Sequence, residues 1–150
     1  MSKRTPIDQK RYEPWLWFLV GLFSARVLTQ FIQSGFTIRF LPELEKWQGL
    51  ALPFNALLVI QVIILLLLIT VARRFSAGSM IPCRISGITL LTLGILYLVV
   101  MLLRIALDAV WFSQAEWITH NLTSFFHLVL AGFVFLVGHY HWRNWNTARK

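Results

Sequence analysis

Residues 50–72 read LALPFNALLVIQVIILLLLITVA, a stretch without a single Lys, Arg, Asp or Glu. A helix needs about 20 mostly apolar residues to cross the hydrocarbon of a bilayer, and this stretch is long enough. Pro53 suits the first turn of such a helix, where its missing N–H costs little. We therefore predict a transmembrane helix here, which makes lipid the solvent around which the fold is built.

Three further stretches share the length and the apolar composition of residues 50–72. They run from about Pro14 to Ser34, from about Ile85 to Val110 and from about Trp117 to Tyr140. Of the 150 residues, 57% are hydrophobic and 13% are charged, and the mean hydropathy is +0.67. A soluble domain has about 45–50% apolar and about 25% charged residues, and a small one cannot hide such an excess from water. The sequence predicts a single integral membrane domain, residues 1–150, folded as an all-α four-helix transmembrane bundle.

The basic residues indicate the direction of the helices, because Lys and Arg collect on the cytoplasmic side of a membrane. Ten of the 14 precede the first stretch, separate the second from the third, or follow the fourth. The opposite loops hold only Arg39 and Lys46, beside Glu43, Glu45 and Glu116. We therefore expect both termini to be cytoplasmic and the protein to be a multi-pass protein of the cell inner (plasma) membrane.

The remaining bulk features exclude several functions. The net charge of +8 does not indicate nucleic-acid binding, because the basic residues lie in short clusters rather than in one patch. Cys83 is the single cysteine, so an intrachain disulfide is impossible and metal-type cysteine spacing is absent. The first apolar stretch has no small-residue cleavage site, and we expect it to persist as a span. The expected partners are the lipid bilayer and other membrane subunits or a second copy of the chain.

A few polar side chains fall within the predicted helices, where they are costly and normally face the bundle interior. Arg26 and Gln30 are four residues apart and share a face of the first helix. On the third helix a heptad-like spacing places Gly94, Tyr97, Met101, Arg104 and Asp108 on one face. The depths of the polar residues along their helices place them in the middle or outer half of the membrane. We predict a ligand-binding polar cluster there and apolar packing in the inner half; the cluster contains Arg26, Gln30, Asn55, Gln61, Arg104, Asp108, His120 and His127.

Each of these residues also has a structural interpretation. Arg26 is equally suited to locking the bundle through a neighbouring side chain or backbone carbonyls. The spacing of Arg104 and Asp108 favours a structural pair near the outer surface. His127 fits a buried histidine satisfied by a neighbour better than a cofactor ligand.

The polar cluster suggests three functions. An Arg and a His facing a partly apolar cavity can bind a carbonyl or an anionic group. The first candidate is therefore an accessory subunit or binding module for a quinone or a lipid in a membrane redox system, and not a stand-alone enzyme. The second is a structural or assembly subunit of a larger membrane complex, because the parts outside the membrane are very small.

The third candidate is a haem b cytochrome, which needs two axial ligands facing each other. All four histidines lie on the fourth helix or at its end, so only a dimer that pairs His127 with His127 would supply them. The other members of this group, His139 and His141, fall at the inner interface, where we expect solvation or contact with headgroups. The chain shows no cofactor motif, and no resident cofactor is predicted from the residues.

Residues 22–35, LFSARVLTQFIQSG, resemble the opening helix of DoxX-type proteins, in which an Arg is followed by an aromatic residue and then a Gly near the outer end. Residues 67–74, LLITVARR, resemble the family's second helix, which ends in a basic turn. The family often has an acidic residue within that helix, where this chain has Gln61. The resemblance covers about the first half of the chain. It implies a four-helix inner-membrane protein, sometimes an accessory subunit of oxidoreductase systems.

Overall fold

The structure of the chain, a computed structural model, describes residues 7–35, 54–111 and 114–145. These residues form four α-helices: α1 (Ile7–Gly35), α2 (Phe54–Ser76), α3 (Arg84–Trp111) and α4 (Gln114–Asn144). Each helix contains a segment long and apolar enough to cross a membrane. The all-α class, the four transmembrane helices and the multi-pass architecture are therefore confirmed.

The helices extend beyond several of the predicted boundaries. α1 begins at Ile7 and includes Pro14, where the prediction placed the start of the span. A proline removes one helical hydrogen bond, and side-chain contacts with α4 hold the turns before it in place. α2 and α4 likewise continue past the predicted ends at Ala72 and Tyr140. The predicted start near Leu50 and the loop up to Gly49 lie outside the described residues.

The chain runs the length of the bundle four times, once in each helix. One end of the bundle, here called the terminal end, therefore holds the start of α1, the turn at residues 77–83 and the end of α4. The other end, where α1 and α3 finish, is called the distal end. α1 packs against both α2 and α4, and α4 also packs against α3. α3 is consequently the most exposed of the four helices, while α4 is the most buried.

The core lies where α1, α2 and α4 meet. α1 contributes a stripe of buried side chains at helical spacing, and the other two helices contribute one side each. Because lipid is as apolar as these side chains, close packing and dispersion stabilise the contact. The buried apolar residues are Tyr12, Leu16, Val20, Phe23 and Val27 of α1, Leu68, Ala72 and Phe75 of α2, and Val129, Ala131, Phe133, Val137 and Tyr140 of α4.

Glycines allow α3 and α4 to approach each other closely. A Cβ atom added to Gly138 would lie 2.6 Å from the backbone nitrogen of Leu91. One added to Gly87 would lie 2.7 Å from the backbone nitrogen of Trp142. Small residues at such contacts are the usual means of close helix packing in membranes.

The turn between α2 and α3 is built from two capping motifs. α2 ends in a Schellman motif, in which the N–H groups of Gly78 and Ser79 donate to the carbonyls of Phe75 and Arg74, both at 3.1 Å. Gly78 has a φ of 66°, a left-handed conformation that favours glycine. α3 then starts after Cys83, whose sulfur accepts hydrogen bonds from the first turn.

Candidate functional site

Four polar side chains are almost fully buried between α1, α2 and α4. Arg26 and Gln30 lie on α1, Gln61 on α2 and Ser124 on α4, and none is more than 6% exposed. They are called the buried polar layer below. Arg26 and Gln30 belong to the face of α1 that carries the apolar core, which is why the fold turns them inward.

Gln30 and Gln61 lie at the same level of the bundle. The Ser76 hydroxyl donates to Glu13 Oε1 at 2.7 Å and accepts from Trp17 Nε1 at 3.0 Å, which aligns α2 with α1. Ser76 on α2 therefore lies level with residue 15 on α1, midway between Glu13 and Trp17. The two helices run antiparallel. Fifteen residues further along α1 is Gln30, and fifteen residues back along α2 is Gln61.

α4 adds an aromatic contact and a further buried hydroxyl. The Arg26 guanidinium carbon lies 4.7 Å from the centre of the Phe126 ring, a cation–π contact. Ser124 is two residues from this ring and has no exposed surface. The layer therefore combines a cation, two amides and a hydroxyl in an otherwise apolar interior.

α3 reaches the layer through Tyr97. The Tyr97 hydroxyl is 2.5 Å from His127 Nδ1 on α4, and the two rings meet edge to face. Arg26 is close enough to interact electrostatically with both Tyr97 and His127. The sequence placed Tyr97 on the same face as Arg104 but did not assign it to the site, because a tyrosine on a helical stripe is indistinguishable from core packing.

Several atoms of the buried polar layer have no hydrogen-bond partner in the described part of the chain. They are both side-chain amide atoms of Gln30, the Gln61 Oε1 atom and the Ser124 Oγ atom. Buried polar atoms in proteins are normally paired, and each one left unpaired costs about 1–3 kcal/mol. The Gln30 Nε2 atom is a donor, both amide oxygens are acceptors and the hydroxyl is either. The layer is therefore equipped to bind a group that both donates and accepts hydrogen bonds.

The structure brings together only part of the predicted cluster. Arg26, Gln30 and Gln61 are all buried, and His127, half-buried, lies within electrostatic range of Arg26. Arg104 and Asp108 lie further along α3 than Tyr97, toward the distal end, with Nε and Oδ2 4.0 Å apart. Arg104 reaches the site only through an electrostatic interaction with His127. The side chains of Asn55 and His120 fall outside the described part of the structure, and the cluster's role in ligand binding stays a prediction.

The half nearest the termini holds the apolar core, and a hydrogen-bonded network that the sequence did not predict lies beyond it at the terminal end. Gln9 Nε2 donates to the Tyr140 hydroxyl at 2.6 Å and to the Met80 carbonyl at 2.8 Å. The Tyr140 hydroxyl donates to the same carbonyl at 3.1 Å. Tyr12 and His139 Nδ1 form a further hydrogen bond of 2.8 Å. These five residues, called the terminal network, join α1, α4 and the turn.

The expectation for the two histidines of this end also needs correction. His141 is 7% exposed, and its Nδ1 atom accepts a hydrogen bond of 3.1 Å from the Cys83 backbone N–H. His139 is half-buried and stacks on Phe135 with an interplanar angle of 12°. Polar residues at a helix end look alike in sequence whether they face water or a neighbouring helix, so the sequence could not separate the two.

Neither a metal site nor a relative supplies a simpler account of these residues. Within residues 7–35, 54–111 and 114–145, no group of three or more His, Cys, Asp or Glu side chains is arranged to hold a metal ion. Comparison of the chain with protein-family models, with curated proteins and with solved structures gave no match. The function must therefore be inferred from the chemistry of the buried side chains.

Proposed function

We propose that this chain is a membrane-embedded binding subunit whose buried polar layer holds the oxygen-bearing head of an amphiphile, a quinone-type compound or a lipid. The observation that carries the proposal is the set of buried polar atoms on Gln30, Gln61 and Ser124 that have no hydrogen-bond partner among the described residues. No water is available in the bilayer core to satisfy such atoms, and each unsatisfied group there is costly. A bound head group would remove that cost.

The hydrogen-bonding inventory narrows the head group. An oxidised quinone offers only acceptors, which suit Gln30 Nε2 but leave the Gln61 and Gln30 oxygens unpaired. A quinol, or a lipid head with free hydroxyls, donates as well as accepts. Hydroxyl-bearing heads are therefore the better match for this layer.

The position of Tyr97 and His127 adds a polar route at the edge of the layer. Their hydrogen bond spans α3 and α4 beside Arg26. A histidine is the side chain best suited to exchange protons near neutral pH. In a quinol site this pair would accept a hydrogen bond from the head group, and electron transfer would fall to a redox partner that supplies a cofactor.

Two features of the sequence support a location and an accessory role for the chain. The excess of Lys and Arg at the terminal end supports cytoplasmic termini and a plasma-membrane (inner-membrane) location. The resemblance of residues 22–35 and 67–74 to DoxX-type helices supports an accessory role in an oxidoreductase system.

Ligand-induced changes in thermal stability test the proposal. The purified protein is titrated with a benzoquinol bearing a ten-carbon tail, with the matching benzoquinone, with decylbenzene as the tail-only control, and with a diacylglycerol. We expect the quinol or the diacylglycerol to raise the melting temperature, because a ligand that binds only the folded state stabilises it. The arm that responds identifies which head group the layer accepts.

Gln30→Leu and Gln9→Leu form a matched pair for this experiment, since both replace a buried glutamine of α1. We expect Gln30→Leu to lose the ligand response and Gln9→Leu, in the terminal network, to keep it. If no hydroxyl-bearing ligand raises the melting temperature more than decylbenzene does, the layer is a packing device and the chain is a structural subunit. An equal response from the two variants would also refute the binding role.

A further inference from the structure

The outer side of α3 carries a charged group that the buried polar layer does not use. The Arg104 side chain is 47% exposed, although it belongs to a membrane-spanning segment. Its Nε atom lies 4.0 Å from Asp108 Oδ2, at the limit of an ion pair and beyond a hydrogen bond. A guanidinium has five N–H donors, and the exposed part of the Arg104 side chain can offer them to a group outside the bundle.

The depth of Arg104 suits contact with lipid headgroups. It precedes Trp111, the last residue of α3, by seven residues, which is roughly 10 Å along the helix. Long arginine side chains extend toward the membrane surface from such positions. The guanidinium of Arg104 therefore lies near the boundary between hydrocarbon and headgroups in the distal leaflet.

An apolar groove begins one helical turn below Arg104. Its volume is 460 Å³. It extends along α3 from Leu90 to Met101, roughly 16 Å at the rise of an α-helix. Its walls are Leu90, Leu93, Gly94, Leu96, Tyr97, Val100 and Met101 of α3, with Val134 of α4.

The groove and Arg104 belong to the same face of α3. Leu93, Tyr97, Val100 and Arg104 follow one another at intervals of four, three and four residues, which is helical spacing. Among the described residues of the groove wall, Tyr97 has the one polar side chain, and its hydroxyl is already engaged with His127. The groove is therefore an apolar channel with a positive charge above its distal end.

We propose that this face binds one anionic phospholipid of the distal leaflet, with its phosphate on Arg104 and one acyl chain in the groove. A phospholipid matches both features at once, because its charge complements the guanidinium and its chain covers the apolar walls. Basic residues between transmembrane helices are a common means of holding acidic headgroups. This site is separate from the buried polar layer and stands independently of the function proposed for it.

Native mass spectrometry of the delipidated protein tests this site. The protein is titrated with phosphatidylglycerol and phosphatidylcholine that carry identical acyl chains. We expect one tightly bound phosphatidylglycerol and a preference over phosphatidylcholine. Arg104→Gln should weaken phosphatidylglycerol binding roughly fivefold and remove the preference, given the usual contribution of one basic residue at a membrane surface. Arg104→Lys should retain most of the preference for phosphatidylglycerol.

Two neighbouring valines provide a control for the groove. Val100, 48% exposed, lines the groove, and Val99, 54% exposed, does not. Val100→Trp should lower the affinity for both phospholipids, because the ring occupies the chain's position, and Val99→Trp should bind as the wild type does. Unchanged phosphatidylglycerol binding in Arg104→Gln or in Val100→Trp would overturn the proposal. So would a wild-type dimer that Val100→Trp converts to monomer, since a second copy would then occupy the groove.

Discussion

The terminal network and the buried polar layer both place polar side chains between α1 and α4, but they differ in how those side chains are paired. In the terminal network, Gln9 Nε2, the Met80 carbonyl and the Tyr140 hydroxyl are joined within 3.1 Å. In the buried polar layer, Gln30 and Ser124 have no hydrogen-bond partner among the described residues. Groups of the same chemistry are thus hydrogen-bonded within the described part of the chain in one region and left without a partner there in the other.

The two regions differ in their access to water, which decides how an unpaired polar atom affects stability in each. Helix ends lie close to the membrane surface, where water can satisfy exposed polar groups. The Gln9 Oε1 atom, which is itself buried, has no partner among the described residues. The residues of the buried polar layer are closed off from such water by the packing of the helices around them. We therefore expect the hydrogen bonds of the terminal network to serve stability and the unpaired atoms of the buried polar layer to lower it, as the proposed binding role requires. Each prediction below tests that contrast.

The largest effect is expected at the terminal network. Tyr12 is 7% exposed, packs edge to face on Tyr140 and hydrogen-bonds His139. Tyr12→Ala removes the ring and should lower the free energy of unfolding by about 3 kcal/mol. Unfolding in mixed micelles with increasing dodecyl sulfate measures it. Tyr12→Phe keeps the ring and serves as the control. If Tyr12→Ala lowered the free energy of unfolding by less than Tyr12→Phe does, the terminal network would not hold the helices together.

The buried polar layer should respond in the opposite direction. Gln30→Leu replaces two unpaired amide atoms with apolar groups of similar size. Without ligand, we expect the free energy of unfolding to rise by about 1–2 kcal/mol, because the desolvation cost of those atoms disappears. The same unfolding assay applies, with Gln9→Leu as the destabilised counterpart. Destabilisation by Gln30→Leu would mean that this amide is satisfied in the folded protein and that the contrast is false.

A single hydroxyl of the terminal network should give a smaller loss. Tyr140→Phe keeps the ring contact with Phe75 and removes the acceptor for Gln9 and the donor to Met80. Side-chain hydrogen bonds in membrane proteins contribute about 0.6 kcal/mol on average and up to about 1.7. We expect a loss of about 1 kcal/mol in the same assay. An unchanged stability would indicate that water replaces the hydroxyl at this end.

The smallest effect concerns reactivity and not stability. Hydrogen bonds from the backbone N–H and hydroxyl of Ser86, and then from Ile85, hold the pKa of the exposed Cys83 thiol below its ordinary value. The thiolate is the reactive form, so labelling by iodoacetamide should begin at a lower pH than for a free thiol. Ser86→Ala removes the hydroxyl bond, raises the pKa and should shift the labelling profile to higher pH. A profile identical to the wild type would exclude the hydroxyl's role.

Cys83 also tests the orientation of the chain, because it is the single cysteine and lies in the turn at the terminal end. A membrane-impermeant maleimide should label it in inverted membrane vesicles and not in intact cells. The opposite result would place the termini outside the cytoplasm and require the proposed orientation to be reversed.

Some parts of this architecture follow from sequence because they depend on neighbouring residues alone. Residues 50–72 predict a membrane span by length and apolar composition, and the spacing of Arg26 and Gln30 places them on one helix face. The structure agrees with both within its described residues. The helix boundaries were less accurate, since α1 continues before Pro14 through contacts with residues more than a hundred positions away.

The sequence by itself determined that the chain is a four-span membrane protein and which polar side chains lie within its spans, because a bilayer selects on local hydrophobicity and length. Only the tertiary structure decided that Gln61 lies level with Gln30, that Tyr97 reaches His127 and that Arg104 lies half-exposed on α3. These facts depend on the order in which the helices pack and on the rotation of each about its axis. Lipid and protein surfaces are equally apolar, so composition does not specify those rotations, and close packing at residues such as Gly94 and Gly138 does.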